Sequence, residues 1–265
     1  MLWEELSSKE FEVQLEKCDR VCILPIGAIE KHGDHLPLGT DMIAVTSIAK
    51  AAAEIAPAIV FPYYFFGQIA EAKQFKGTIS ASHRLLMDAL LEMCDEIHRN
   101  GFNKIIILNG HGGNNNFLQF FAQMFPGINR PYAVYTCFAG SKNEEQMAAI
   151  IKKTGVEEMG YHAGFGETAL MAYLRPDLVN LGKAVVAESV DLGRLDNITK
   201  LNVYTGFNWY ASFPNHFAGD PSKATEEAGE FIFKMIVNNV AEVINEVKKD
   251  NVSLSLIEEF NSLAL

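Results

Sequence analysis

Apolar residues are distributed along the chain in two textures that take turns. Short, largely apolar runs occupy residues 21–27, 58–66, 104–108 and 132–138; the third carries Ile105, Ile106 and Ile107 in succession. A run of this length without polar alternation marks a strand covered on both faces. Between the runs, apolar positions recur at helical spacing. Residues 41–55 are alanine-rich and end before Pro57, and residues 82–100 show the stripe Leu86, Leu90, Met93, Ile97 with Gly101 at the end. Further helices are predicted over 114–125, 143–154 and 166–174, the last closed by Pro176. Ser7 and Glu10 have capping-box spacing for a short first helix. Asp220-Pro221 reads as the start of a long helix running to about residue 248. Strands alternating with helices predict an α/β fold with a mostly parallel central sheet and helices on both faces. No repeat or low-complexity linker interrupts the pattern, so one domain over 1–265 is expected.

Charge narrows the partners. The chain has 22 basic and 33 acidic residues among 265, a formal net charge of −11. Such a surface repels phosphate backbones and anionic lipid, which argues against nucleic-acid and membrane partners. No apolar run is long enough to span a bilayer, and no basic segment precedes an apolar one at the start of the sequence, so a cytoplasmic protein is expected. The four cysteines, Cys18, Cys22, Cys94 and Cys137, lack zinc-ribbon spacing and are expected as buried free thiols.

Three polar segments stand where such a sheet presents its carboxyl edge, the usual place for a site. Residues 27–41 follow a buried strand directly, with Glu30 and His32 two apart and so on one side of an extended backbone. Asp41 then opens a helix. Residues 109–116, NGHGGNNN, leave the triple-isoleucine strand, and their glycines let the backbone bend tightly around His111. A dinucleotide-binding turn would need a third glycine where Asn115 stands, so that reading fails. Residues 161–168 place His162 before a helix whose first turn holds Glu167, a position the helix dipole favours for a carboxylate. Each segment alone has a bland explanation as a polar turn or helix cap. Together they offer Glu30, His32, Asp41, His111 and Glu167, oxygen and nitrogen donors suited to zinc, manganese or iron. A carboxylate such as Asp41 could bridge two ions, and three carboxylates plus a hydroxide would cancel two dications.

These segments resemble the creatininase (creatinine amidohydrolase) family. Residues 27–41 are similar to its G-x-x-E-x-H-G-x-H-L-P-L-G-T-D block and residues 109–114 to its N-G-H-G-G-N form. Residues 162–168 follow its H-A-G-x-x-E-T element, and residues 219–225 its G-D-P-x-x-A-T element. The resemblance implies a three-layer α/β/α sandwich, two divalent metal ions per subunit (Zn, Mn or Fe) and a homohexamer. It places Glu30, His32, Asp41, His111 and Glu167 on the metal-ligand positions, with Asp41 bridging, and His162 on that of a proton-handling histidine.

The implied chemistry is hydrolysis of a C–N amide bond in a small, cyclic, polar substrate. The family also implies two alternatives: C–C hydrolysis of a cyclic diketone such as an oxidised inositol, and an inactive member serving as a binding or assembly protein. Two departures separate the chain from creatininase proper. Gly112 and Gly113 stand where that enzyme has tyrosine and glutamate, so a metal contact can be replaced there by water. Lys31 replaces a common glutamine. Candidate substrate contacts are Gly112, Gly113, Asn114, Trp209 and His216. The last two lie in an aromatic segment, residues 202–217, that reads as a pocket cover or subunit contact. His35 is expected to orient a ligand, and His83 and His98 to be surface or packing residues.

Overall fold

The computed structural model describes residues 1–263. Its elements, in chain order, begin with helix α1 (Ser8–Lys17), strand β1 (Val21–Ile26), helix α2 (Thr40–Ile55) and strand β2 (Ile59–Val60). Helix α3 (His83–Arg99), strand β3 (Lys104–Asn109), helix α4 (Asn115–Gln123) and strand β4 (Ala133–Phe138) follow. The remainder is helical: α5 (Glu144–Thr154), α6 (Phe165–Leu174), the short α7 (Asp196–Thr199) and α8 (Asn208–Ser212), then α9 (Glu226–Lys249) and α10 (Val252–Leu263). The four strands pair in parallel in the order β2-β1-β3-β4.

Alternation along the strands builds two cores. Val21 and Ile23 of β1 and Ile106 and Leu108 of β3 point to one face, where α2, α5, α6 and α9 cover them. Cys22, Leu24, Ile26, Ile105 and Ile107 point to the other, against residues of α3 and α4. Helices on both faces of a parallel sheet make the α/β/α sandwich. All six residues of β1 and of β3 are buried; the apolar stretches require it, and the polar ends of β3 are satisfied by hydrogen bonds, Lys104 to the Lys248 carbonyl and Asn109 to Asn115. Cys18, Cys22 and Cys94 are buried free thiols and Cys137 is a half-buried one. Among the described residues, no helix is long and apolar enough to cross a membrane.

Two boundaries differ from the sequence reading. The run over 58–66 forms a strand only at Ile59–Val60, with a single further bridge from Tyr64 to Ile26. Pro62 interrupts it, because proline cannot donate to a ladder. The last long helix starts at Glu226 rather than at Asp220-Pro221. Thr225 caps it by accepting from the Ala228 N–H at 3.2 Å, while the Asp220 carboxylate caps only a turn at the Ser222 N–H. The capping box at α1 forms as expected, with the Ser7 N–H donating to Glu10 Oε2 at 2.9 Å.

Candidate metal centre

The carboxyl ends of β1 and β3 lie side by side, with Ile26 opposite Asn109. The loop after β1 folds back on itself through the Glu30 N–H, which donates to the Leu38 carbonyl at 3.0 Å. That closure brings Glu30, His32 and the first turn of α2, with Asp41, to the point where His111 leaves β3. Helix α6 delivers Glu167 from its own first turn. The structure thus gathers all five candidate donors in one cluster. Glu30, Asp41 and His111 form one group of three, and His32, Asp41 and Glu167 another, with donor atoms within 4.8 Å of one another in each.

The hydrogen bonds around the two histidines fix which nitrogen faces the cluster. His111 Nε2 lies 2.8 Å from the Gln68 carbonyl oxygen, and His32 Nδ1 lies 3.2 Å from the Glu30 carbonyl oxygen. A carbonyl only accepts, so each of those nitrogens carries its ring's proton. The opposite nitrogens are therefore bare in the neutral rings, and each is aimed at carboxylate oxygens. His111 Nδ1 is 2.7 Å from Glu30 Oε1 and 3.0 Å from Asp41 Oδ2. His32 Nε2 is 3.1 Å from Asp41 Oδ1 and 3.8 Å from Glu167 Oε2. Lone pairs facing lone pairs at such distances repel unless a proton or a metal cation lies between them. Glu30 Oε1 is buried and finds no hydrogen bond of acceptable geometry despite its nearness to His111. The donor set therefore fits two metal ions, with the two Asp41 oxygens turned toward different histidines.

The titration behaviour carries the same message. Burial works against a charged imidazole at His32, yet Asp41 overcomes it and pushes the pKa up to about 10. At His111 burial again opposes, and Glu30 and Asp41 pull the ring well above the usual histidine range. Burial likewise opposes ionisation of Glu30, but His111 and His162 outweigh it and hold the carboxyl well below the usual range. Burial, reinforced by Asp41 and Glu30, raises Glu167 to about 7 against the pull of His32 and the Ala163 N–H. Without metal, protons are drawn in to supply positive charge. Glu167 keeps 32% of its side-chain surface, whereas Glu30, His32, Asp41 and His111 are nearly sealed.

His162 stands beside the cluster, its ring centroid 4.2 Å from that of His32. Its Nε2–H donates to the Lys31 carbonyl at 2.7 Å, leaving Nδ1 bare. Burial first, and then the neighbouring His32 charge, hold its pKa well below the usual value, so the ring is neutral near pH 7. His35 packs one layer further out, with Nε2 between the Ala163 carbonyl at 3.0 Å and the Thr168 hydroxyl at 3.1 Å. It thereby steadies the turn that carries Glu167. His98 bonds the Phe102 carbonyl at the end of α3, and His83 is exposed at its start.

The remaining candidates divide. Gly112 is exposed with open space around it. A Cβ at Gly113 would collide with the His111 ring and lie 2.8 Å from the Gln68 carbonyl oxygen. Its bareness is what lets Gln68 reach His111, so the position has no room for a longer side chain in this arrangement. Asn114 is fully buried and spends its amide on the turn, accepting from the Gln68 N–H at 2.7 Å and donating to Asn109 at 3.2 Å. In the aromatic segment, Tyr204 and Phe207 are exposed, while Trp209 turns inward. Trp209 Nε1–H donates to His216 Nδ1 at 2.8 Å, and His216 Nε2 lies 2.5 Å from Glu30 Oε2. Sequence reasoning missed Gln68, because its contribution is a backbone carbonyl that no side-chain identity announces.

Comparison with known proteins agrees with this picture. The family model described as creatininase, creatinine amidohydrolase, matches residues 4–244. Creatinine amidohydrolase of Pseudomonas putida is 27% identical over 264 residues, covering 91% of this chain and 95% of the relative. The mycofactocin precursor peptide peptidase of Mycolicibacterium smegmatis is 27% identical over 243 residues, covering 89% of each. A mutant creatininase solved in a Zn–Zn form shares the fold, with a TM-score of 0.74 at 24% identity over 92% of this chain and 97% of that one. A family match spanning both flanks of the donor cluster, on a sheet of the same architecture, leaves one conclusion: the chain belongs to the creatininase family.

Proposed function

We propose that the chain is a dinuclear-metal-dependent hydrolase of a C–N amide bond in a small, cyclic, polar compound. The observation that carries this reading is the pair of imidazole nitrogens, His111 Nδ1 and His32 Nε2, each facing a different oxygen of Asp41 and each bare when its ring is neutral. Glu30, Asp41 and His111 would hold one ion, and His32, Asp41 and Glu167 the other. A metal pair supplies an activated water at neutral pH and polarises the substrate carbonyl.

The chain's own groups do the rest. Asp41 is fixed between the two sites partly by the Ala28 N–H, which donates to Oδ2 at 3.2 Å. His162, neutral and with Nδ1 unprotonated, would take a proton at that atom from the attacking water and deliver it to the leaving nitrogen as the C–N bond breaks. Its bond to the Lys31 carbonyl fixes the ring so that Nδ1 stays available. The buried setting excludes bulk water from these transfers and strengthens each electrostatic contact. The relatives named for an amidohydrolase and a peptidase both suggest C–N rather than C–C cleavage. Assembly as a homohexamer fits the exposed Tyr204 and Phe207, which would be covered by a neighbouring subunit.

The test is elemental analysis of the purified chain followed by a hydrolysis screen over cyclic amides, short peptides and cyclic diketones. Two transition-metal ions per chain and amide turnover lost on chelation are expected. A chain that takes up no metal after reconstitution rejects the reading, and turnover confined to the diketones moves it to C–C hydrolysis.

A further inference from the structure

Glu30 has two carboxylate oxygens, and the structure gives them different tasks. Oε1 faces His111 Nδ1 at 2.7 Å with no hydrogen bond of its own. Oε2 meets His216 Nε2 at 2.5 Å. The indole of Trp209 can only donate, so its 2.8 Å bond to His216 Nδ1 makes that nitrogen an acceptor. In a neutral ring the proton then resides on Nε2 and is donated to Glu30. Neither His216 nitrogen is left free to ligate metal or to meet substrate while this chain of bonds is made. We infer that His216 is a positioning residue: it clamps Glu30 Oε2 so that Oε1 alone is presented to the cation site shared with His111 and Asp41, and Trp209 sets its tautomer.

The surroundings are built for such a clamp. His216 and Glu30 are 186 residues apart in sequence, and both are buried. His216 sits at φ 54°, in the left-handed region that residues with a Cβ seldom adopt. Its backbone is held there on both sides. The His216 N–H donates to the Phe213 carbonyl at 3.0 Å, and two residues on, Ala218 and His162 exchange backbone hydrogen bonds at 2.9 and 3.1 Å. The same short segment thus ties Glu30 to the strand-like pairing that carries His162. Trp209 packs against Phe213 with ring centroids 4.9 Å apart and planes inclined by 45°, which helps to fix the indole that orients His216. Carboxylates that bind metal are themselves hydrogen-bonded, and removing such outer partners commonly weakens metal binding.

This inference rests on the metal-centre reading above, and the experiment separates the two. The metal-free protein, prepared by chelation, is titrated calorimetrically with Zn²⁺ or Mn²⁺ in wild type, His216→Leu, His216→Gln and Trp209→Phe, with folding checked by near-ultraviolet circular dichroism. In His216→Leu, one of the two ions is expected to bind about 10–100-fold more weakly while the other is unchanged. His216→Gln keeps an N–H donor and is expected to recover most of the loss. Trp209→Phe removes the tautomer-setting N–H together with part of the ring while keeping an aromatic side chain, and is expected to weaken the same ion to a smaller degree. Should His216→Leu fail to fold, Trp209→Phe and His216→Gln carry the test. Two ions bound with wild-type affinity in every folded variant overturn the clamp but leave the metal centre standing. A raised KM with unchanged metal affinity overturns it too, making His216 a substrate contact. A wild-type chain that binds no metal removes both readings.

Discussion

Placing a single methyl group at Gly113 tests how the centre is organised. The Gly113 backbone passes so close to His111 that a Cβ would overlap the imidazole Nε2 and sit 2.8 Å from the Gln68 carbonyl oxygen. Both atoms belong to the 2.8 Å hydrogen bond that keeps the His111 proton on Nε2. Neither can retreat easily. The ring is buried between that carbonyl and the carboxylates of Glu30 and Asp41, and the Gln68 N–H is already bound to Asn114. Gly113→Ala therefore breaks the bond or forces the turn apart. Losing a buried hydrogen bond costs about 1–3 kcal/mol, and overpacking adds about as much again. At about 2–4 °C per kcal/mol for a chain near this size, the melting temperature should fall by roughly 5–20 °C. With the tautomer no longer fixed, affinity for the ion beside His111 should fall about 10–100-fold. Gly112→Ala is the matched control, because a Cβ there meets nothing within 4 Å. Differential scanning calorimetry and metal titration of both variants read the outcome. Equal melting temperatures and equal metal affinities for Gly113→Ala and wild type would refute the claim that Gln68 orients His111.

Three further outcomes follow from the same geometry. His162→Ala should keep two bound ions and lose about 10²–10⁴-fold in kcat, the usual contribution of a proton-transferring side chain; steady-state kinetics with elemental analysis checks it, and an unchanged rate removes His162 from the mechanism. Gly229→Ala should destabilise the fold by at least about 1–3 kcal/mol, because α9 crosses α6 so closely that a Cβ would collide with the Ala169 carbonyl oxygen; urea denaturation measures it. The chelated protein should lose stability as pH rises from about 7 to about 9, while the metal-loaded form should not. The sign comes from His32, raised from 6.5 to about 10 against burial by Asp41, and from His111, raised by Glu30 and Asp41. A raised folded pKa gives stability that is complete below the unfolded value and lost as pH climbs through the folded one. Bound metal replaces those protons and removes the slope, so parallel curves for the two forms would contradict the assignment.

The sheet was legible because burial on both faces leaves an unmistakable trace. Ile105, Ile106 and Ile107 alternate between two different cores, so no position in the middle of β3 could be polar, and its polar residues, Lys104 and Asn109, stand at its ends. The second apolar run misled for the opposite reason: composition alone does not register that Pro62 cannot pair, and β2 stops at Val60. Asp220-Pro221 misled because it satisfies a helix-start rule yet caps only a turn, leaving Thr225 to open α9. In the site, Glu30, His32, Asp41, His111 and Glu167 could be read as a set because each occupies a polar turn at a predicted element end. What could not be read is everything that aims them. Gln68 acts through its carbonyl, Ala163 through its N–H at 2.5 Å from Glu167, and His216 across 186 residues of sequence. Tertiary contacts of this kind leave no local pattern.

The aiming groups also bear on what the chain hydrolyses. At Gly113 the space that a side chain would fill is taken by the Gln68–His111 contact. Lys31, the other departure, extends its ammonium over the Phe75 ring at 4.6 Å while its carbonyl holds His162. A residue that holds His162 by its backbone is free to vary its side chain without disturbing that bond. The same holds for Gln68, whose carbonyl rather than its amide orients His111. Backbone atoms thus fix the protons of His32, His111 and His162, and the side chains of Lys31 and Gln68 take no part in those bonds, whereas Gly113 must stay bare for one of them to form. Substitutions at 31 and 68 can therefore change the surroundings of the site without disturbing the donor set, while one at 113 cannot.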